Sequence, residues 1–176
     1  ENMALALNEF NAMSEADARE VLMRCCGSTT WANEVAAKRP YRDLQSLVDT
    51  SASVWATRAE PDWMEAFTHH PRIGDVDSLR KKFASTIHFT QNEQSGSSSA
   101  DEATLSALKD GNDQYFDKNG FIFIVCATGK SAAEMLAILQ SRLPNDRDTE
   151  LRTAAGEQGK ITTIRLNNTF REQPAL

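Results

Sequence analysis

The spacing of apolar residues predicts a mostly helical protein, because they recur at intervals of three and four along most of the chain. Ser14 stands before an acidic first turn, and Ser99 and Ser131 each precede a glutamate by three residues, which is the signature of a helix N-terminus. We therefore expect helices after Ser14, over residues 29–39, 44–55 and 62–67, after Ser99, after Ser131, and from about 148 to 164.

Two segments depart from this helical pattern. Residues 69–98 contain a His-Pro-Arg-Ile-Gly run and a Gly/Ser-rich tract, a composition that is typical of a functional loop. Residues 121–125, Phe-Ile-Phe-Ile-Val, have the propensity of a buried strand, but nothing else in the chain alternates with a period of two. We expect this segment to be a buried, extended entry to a helix.

Length and charge narrow the class of protein. A chain of 176 residues fits one domain, since domains cluster near roughly 100–150 residues. The net charge of −6 argues against a nucleic-acid or anionic-membrane partner, because both need a basic face. The chain has no run of 18 apolar residues that would suggest a membrane span. Its three cysteines lack the spacing of a disulfide framework, which suggests reduced thiols in the cytoplasm.

The first candidate for chemistry is His69-His70-Pro71. The proline biases His70 toward an extended backbone, which places an imidazole on a loop at a helix end. Histidine exchanges protons near neutral pH and therefore suits acid–base catalysis. The alternative is that one histidine is a solvated helix-end residue and the other packs against Trp63.

The second candidate is the run from Thr90 to Gly96. In a helical turn, Thr90, Glu93 and Gln94 share one face, and their hydroxyl, carboxylate and amide can bind a polar heterocycle. The alternative is a capping box in which Thr90 caps a helix and Glu93 completes it.

Arg165 is the third candidate, because it lies between apolar residues late in the chain. Such an arginine either snorkels or pairs with a carboxylate, or its planar guanidinium binds a carboxylate or ureido group of a ligand. A metal site is disfavoured, since adjacent histidines do not easily converge on one ion and no Cys-x-x-Cys is present. No phosphate-binding loop, nucleophile elbow or Schiff-base lysine is recognisable, so we expect no cofactor.

Together these segments resemble the 2-oxo-4-hydroxy-4-carboxy-5-ureidoimidazoline (OHCU) decarboxylases. The resemblance extends over roughly residues 10–166, and its matching motifs occur in the family's order and spacing. These motifs are His70-Pro71-Arg72-Ile73-Gly74 after Phe67, Glu93-Gln94-Ser95-Gly96, residues 112–123, Arg142-Leu143, Glu150, Ile161-Thr162 and Arg165-Leu166.

The resemblance implies an all-α, single-domain compact bundle of about eight helices, a domain spanning residues 4–170, and a cofactor-independent, homodimeric enzyme of urate breakdown. By motif position, the catalytic residues are His70 and Glu93. The substrate-binding positions are Pro71, Thr90, Gln94, Ile122, Ile124 and Arg165. The family more often has serine where this chain has Thr90, but the hydroxyl is kept.

Two other classes of function remain open at this point. One is a non-catalytic helical ligand-binding module, which the joint presence of His70, Glu93 and Arg165 opposes. The other is a metal-dependent hydrolase acting on a related ureide. Metal analysis and chelator treatment distinguish the hydrolase from a cofactor-free decarboxylase.

Overall fold

The computed structural model describes residues 4–72, 74–83 and 96–172, and for residues 96–100 it describes the backbone alone. Contacts divide the chain into two units. The first comprises residues 1–70 and 155–176, and the second comprises residues 71–154. The all-α prediction is confirmed, since the described residues form nine helices and one two-stranded sheet.

The first unit begins with a short strand and five helices. They are β1 (Leu5–Ala6), α1 (Leu7–Ala12), α2 (Glu15–Cys25), α3 (Thr29–Ala37), α4 (Leu44–Ala56) and α5 (Glu60–Thr68). Ser14 caps α2 as predicted, accepting from the Asp17 amide at 3.1 Å. Ser28 caps α3, and the Glu65 carboxylate of α5 accepts from the Thr29 amide and hydroxyl at 3.0 and 2.6 Å. Glu65 therefore holds the start of α3 against α5, the helix that precedes His70.

The core of the first unit is built around large apolar side chains. Trp31, Phe10, Leu22 and Leu47 have no exposed surface, and Trp31 donates to the Ser51 carbonyl at 3.0 Å. Trp55 donates to the Ala155 carbonyl at 2.8 Å, which fixes the adjoining part of the last helix against α4.

The second unit contains three further helices and the start of the last one. These are α6 (Val76–Lys82), α7 (Gly96–Asn119), α8 (Ala132–Arg142) and α9 (Arg147–Thr169), whose residues from Ala155 onward belong to the first unit. The capping box predicted at Ser131 and Glu134 is present at the start of α8. Between α7 and α8, residues 122–127 run without regular secondary structure, as expected of the Phe-Ile-Phe-Ile-Val segment.

Three sequence-based expectations were wrong or incomplete. Ser99 is not an N-cap, because α7 already begins at Gly96. The stretch expected to be a loop contains α6, whose N-cap Asp75 accepts from the Ser78 amide at 2.7 Å. The short parallel pairing of β1 with β2 (Phe170–Arg171) was also missed, since two residues per strand leave no periodic signal.

Within the described residues, no helix is both long enough and apolar enough to span a bilayer. The single-domain range of residues 4–170 stays a prediction.

Candidate active site

His70 lies just beyond the C-terminal end of α5, where the following proline stops the helix. The buried ring of Phe67 anchors the last turn, and the His70 amide donates to the Phe67 carbonyl at 3.2 Å. The side chain is half-buried. The local sequence thus presents an imidazole at the end of a rigid helix, as predicted.

The neighbouring His69 has a packing role. Its Nδ1 lies 3.1 Å from the Glu65 carbonyl, and its ring lies directly over Gly27. A Cβ atom built at Gly27 would lie 2.3 Å from that nitrogen, so the close approach requires glycine. Of the two histidines, His69 therefore packs against the loop between α2 and α3, while His70 contacts buried polar groups.

A buried network of hydrogen bonds connects His70 with α9 and α2. His70 Nε2 lies 2.5 Å from Gln158 Oε1, and Gln158 Nε2 donates to Thr162 Oγ1 at 3.1 Å. The Thr162 hydroxyl in turn donates to the Cys25 carbonyl at 3.5 Å. Gln158 is 1% exposed, and burying an amide is costly unless it is hydrogen-bonded. We call these four groups the Gln158 network.

Arg165 reaches the same end of α2. Its Nη1 donates to the Cys25 carbonyl at 3.3 Å, where the last carbonyls of the helix carry partial negative charge. A contact with a backbone carbonyl was not considered from sequence, and the predicted contact of Arg165 with a ligand stays a prediction. The Cys25 carbonyl therefore accepts from Arg165 and from Thr162, which is linked to His70 through Gln158 within the first unit.

Two cysteines line this end of α2, and both are buried. Burial raises the pKa of Cys26 to about 12, against weaker opposing effects from a hydrogen bond to Thr162 and the charge of Arg165. Burial likewise raises the pKa of Cys25. Both thiols are therefore protonated at neutral pH, and neither brings an anion to the Gln158 network.

Ile122 and Ile124 lie in the second unit, on the extended segment after α7. Ile124 is 2% exposed and Ile122 is half-buried. The Ile124 carbonyl accepts from Arg142 Nη1 at 2.6 Å, so a buried guanidinium fixes the backbone predicted to bind substrate.

Arg142 also joins three other side chains in what we call the Arg142 network. Its Nε donates to Glu150 Oε1 at 2.7 Å and its Nη2 to the Tyr115 hydroxyl at 3.1 Å. Tyr115 donates to Glu150 at 2.6 Å, and Asn145 donates to the other carboxylate oxygen at 2.9 Å. Burial and the adjacent carboxylate raise the pKa of Tyr115, which keeps the phenol protonated and donating.

The remaining predicted positions are placed only in part. Pro71 is described and exposed, at the start of the second unit. Next to it, Arg72 lies over the Phe116 ring at 4.0 Å and pairs with Asp113 at 3.4 Å. Thr90, Glu93 and Gln94 lie outside the described residues, so their arrangement around a ligand stays a prediction.

No group of three or more metal-ligating side chains occurs among residues 4–72, 74–83 and 101–172. His88 and Glu93 fall outside that part of the chain, and the expectation of a metal-free site stays a prediction.

Sequence reasoning missed Gln158 and gave Thr162 no role of its own, although a signal for them exists. They lie four residues apart on one helix face, and Arg165 follows three residues later. Gln158 and Thr162 lie on a face that also carries Ala154 and Leu166, which indicates a buried polar stripe, whereas Arg165 is exposed. Such a stripe inside a core needs partners, which here are His70 and the end of α2.

Comparison with known proteins supports the sequence resemblance. The family model described as OHCU decarboxylase matches residues 11–167. The chain is 36% identical over 152 residues to the uric acid degradation bifunctional protein TTL of Arabidopsis thaliana, covering 85% of this chain and 46% of that protein. It is 35% identical to the mouse 2-oxo-4-hydroxy-4-carboxy-5-ureidoimidazoline decarboxylase, covering 76% and 75% respectively.

A solved structure gives the same likeness. The crystal structure of an OHCU decarboxylase in the presence of (S)-allantoin matches with a TM-score of 0.64 and 35% identity, covering 82% of this chain and 92% of that one. The chain spans about half the length of the bifunctional Arabidopsis protein and a third of the bifunctional uric acid degradation protein of Bacillus sp. (strain TB-90).

Proposed function

Because the chain belongs to the OHCU decarboxylase family, we propose that it converts 2-oxo-4-hydroxy-4-carboxy-5-ureidoimidazoline to (S)-allantoin and CO2 without a cofactor. The observation that carries the proposal is His70, which stands in the family's His-Pro-x-Ile-Gly motif and is held by the Gln158 network. An ionisable ring at a helix end with a buried hydrogen-bond partner is the arrangement expected of an acid–base catalyst.

The decarboxylation depends on controlled proton transfers more than on an external electron acceptor. When the bond between the ring carbon and its carboxylate breaks, CO2 leaves and the electron pair forms a carbon–carbon double bond inside the ring. The π electrons of the adjacent imine move to its nitrogen, which takes up a proton. The resulting enol loses its hydroxyl proton and gains one at the neighbouring carbon, giving allantoin.

In this reaction the substrate's own imine serves as the electron sink that pyridoxal phosphate or thiamine supplies elsewhere. The protein then has three tasks. It orients the carboxylate out of the ring plane, it moves the hydroxyl proton, and it protonates one face of the enol. We propose that Glu93 contacts the substrate hydroxyl or ring nitrogens, and that His70 assists CO2 loss and handles a proton in the step that forms allantoin.

We propose that the substrate-binding positions are Pro71, Thr90, Gln94, Ile122, Ile124 and Arg165. Arg165 suits an anionic or ureido ligand, because its guanidinium donates in a planar fork. The buried Arg142 guanidinium supports the role of the Ile124 region, since a fixed backbone segment binds a ligand at little cost in ordering.

A stereochemical assay tests the proposal. Uric acid is converted in situ by urate oxidase and hydroxyisourate hydrolase, and (S)-allantoin is followed by circular dichroism. We expect the chain to produce (S)-allantoin rapidly, and we expect folded His70→Ala and Glu93→Gln to lose about 10²–10⁴-fold in rate, the contribution of a positioned acid or base. Slow, racemic product with the unaltered chain would contradict the proposal.

The same assay separates a decarboxylase from a metal-dependent ureide hydrolase. We expect extensive chelator treatment to leave the rate of (S)-allantoin formation unchanged. A rate that falls with chelation and returns with added zinc or manganese would contradict the cofactor-free reaction.

We also propose that the protein is a cytoplasmic homodimer, as the family resemblance implies. Three buried free thiols support a reducing compartment. Light scattering at working concentration tests the assembly, and a mass of twice 19.5 kDa is the expected result.

A further inference from the structure

The direction of the Gln158 network follows from the group at its end. A backbone carbonyl only accepts hydrogen bonds, so the Thr162 hydroxyl donates its proton to the Cys25 carbonyl. The Thr162 oxygen is then the acceptor for the Gln158 amide nitrogen, at 3.1 Å. This orientation leaves the amide oxygen of Gln158 facing His70.

The reverse orientation of the amide would disrupt these bonds. The amide nitrogen would face His70, and Thr162 would have to donate to Gln158 instead of to Cys25. The Cys26 thiol beside Thr162 stays protonated at neutral pH, because burial raises its pKa to about 12. No thiolate therefore competes for the Thr162 proton.

An amide oxygen that lies 2.5 Å from Nε2 needs a proton on that nitrogen. We propose that Gln158 is a positioning residue that keeps the His70 proton on Nε2, so that His70 gains and loses its catalytic proton at Nδ1. Its catalytic consequence rests on the proposed function, whereas the assignment of the proton does not.

With a proton fixed on Nε2, both charge states of the His70 ring keep the same hydrogen bond to Gln158. The neutral ring carries its one proton on Nε2, and the imidazolium carries one on each nitrogen. Nε2–H therefore donates to Gln158 throughout a catalytic cycle, and only Nδ1 changes. A buried partner that orients a histidine in one tautomer is a known requirement of acid–base sites.

Nuclear magnetic resonance of the full chain labelled with ¹⁵N-histidine tests the assignment without substrate. His70 is identified among the three histidines by the signals that disappear in His70→Gln. At a pH where the ring is neutral, we expect a protonated Nε2, an unprotonated Nδ1, and an Nε2 proton that exchanges slowly with water. A protonated Nδ1, or two tautomers in exchange, would overturn the proposal.

Two substitutions at Gln158 separate its role as acceptor from its role in packing. Gln158→Glu keeps an oxygen for Nε2–H, and we expect the slowly exchanging proton to persist. Gln158→Leu removes the acceptor, and we expect that proton to exchange rapidly. Thr162→Val is the second variant if Gln158→Leu does not fold, since it frees the amide to turn. A wild-type spectrum in folded Gln158→Leu or Thr162→Val would contradict the proposal.

The catalytic consequence has its own measurement. We expect Gln158→Leu to lower kcat about tenfold, which corresponds to the loss of roughly one hydrogen bond that orients His70. We expect KM to change little, because Gln158 acts through His70. A kcat equal to that of the wild type would overturn the catalytic consequence. If the spectra are as expected and the wild type makes no (S)-allantoin, the proposed function fails and the assignment of the proton stands.

Discussion

The Gln158 network and the Arg142 network are both buried, but they differ in charge. The Arg142 network contains both members of an ion pair, Arg142, which is 6% exposed, and Glu150, which is fully buried. In the Gln158 network, every group apart from the His70 ring is neutral. One network therefore satisfies its own charges, while the other presents one ionisable group.

The difference indicates separate roles. Removing one partner of a buried ion pair leaves an uncompensated charge, so the Arg142 network should dominate stability. Removing a neutral amide or hydroxyl costs much less, so the Gln158 network should affect chemistry more than folding. Most of the predictions below change one of the two networks, and the others change contacts outside them.

The largest expected effect comes from Glu150→Leu, which leaves the Arg142 guanidinium buried without its carboxylate. We expect the free energy of unfolding to fall by about 3–5 kcal/mol, measured by urea denaturation. As a control, Arg24→Gln removes an exposed pair with Glu20 and should change nothing measurable. A loss below about 1 kcal/mol in Glu150→Leu would contradict the stabilising role.

A double substitution sharpens that result. Arg142→Met combined with Glu150→Leu removes both charges, and apolar replacements for buried pairs are often tolerated. We expect the double variant to be more stable than Glu150→Leu alone. Equal or greater destabilisation would mean that the hydrogen bonds to Tyr115 and Ile124 matter more than the unpaired charge.

The packing of His69, the residue before His70, is tested at Gly27. Gly27→Ala places a methyl group against the His69 ring, and we expect a loss of about 1–3 kcal/mol in the free energy of unfolding, as for overpacking. Gly156→Ala is the matched control, because its Cβ meets nothing within 4 Å and alanine favours a helix interior. The control should be neutral or stabilising, and equal losses in both would rule out the contact as the cause.

Thr162→Val probes the neutral network directly. It leaves the Gln158 amide without its acceptor, and we expect roughly 1–2 kcal/mol of destabilisation by urea denaturation. Thr162→Ser restores the hydroxyl and should recover most of that loss. A loss as large as that of Glu150→Leu would erase the distinction between the two networks.

The smallest effect concerns an exposed charge, Glu134 in the capping box of α8. Hydrogen bonds from the Ser131 amide and hydroxyl lower the pKa of Glu134. Its contribution is therefore present above the pKa of the unfolded chain and is lost as pH falls through the lower folded value. We expect the Tm difference between wild type and Glu134→Gln to shrink on acidification, and a difference that grows instead would contradict this sign.

Much of the fold follows from local sequence signals. Ser14 and Ser131 cap helices as predicted, because an N-cap depends on a few neighbouring residues. Ser99 does not, since α7 extends past a serine that satisfies the same local pattern. A capping motif permits a helix start, but the starting position depends on tertiary context.

The candidate site was only partly predictable for a related reason. His70 and Arg165 stand in recognisable motifs, whereas Gln158 is meaningful only beside His70, which is 88 residues away in sequence. The hydrogen bond from Tyr115 to Glu150 likewise joins residues 35 apart in sequence, on α7 and α9. Networks made of distant residues leave only a weak trace in the sequence, here a polar stripe on one helix face.

The central claim is that His70 performs chemistry and contributes little to folding. The most direct test is the initial rate of CO2 release from freshly generated substrate by His70→Gln, at a temperature where the variant is fully folded. The account predicts a rate about 10²-fold or more below that of the wild type. An unchanged rate would contradict it.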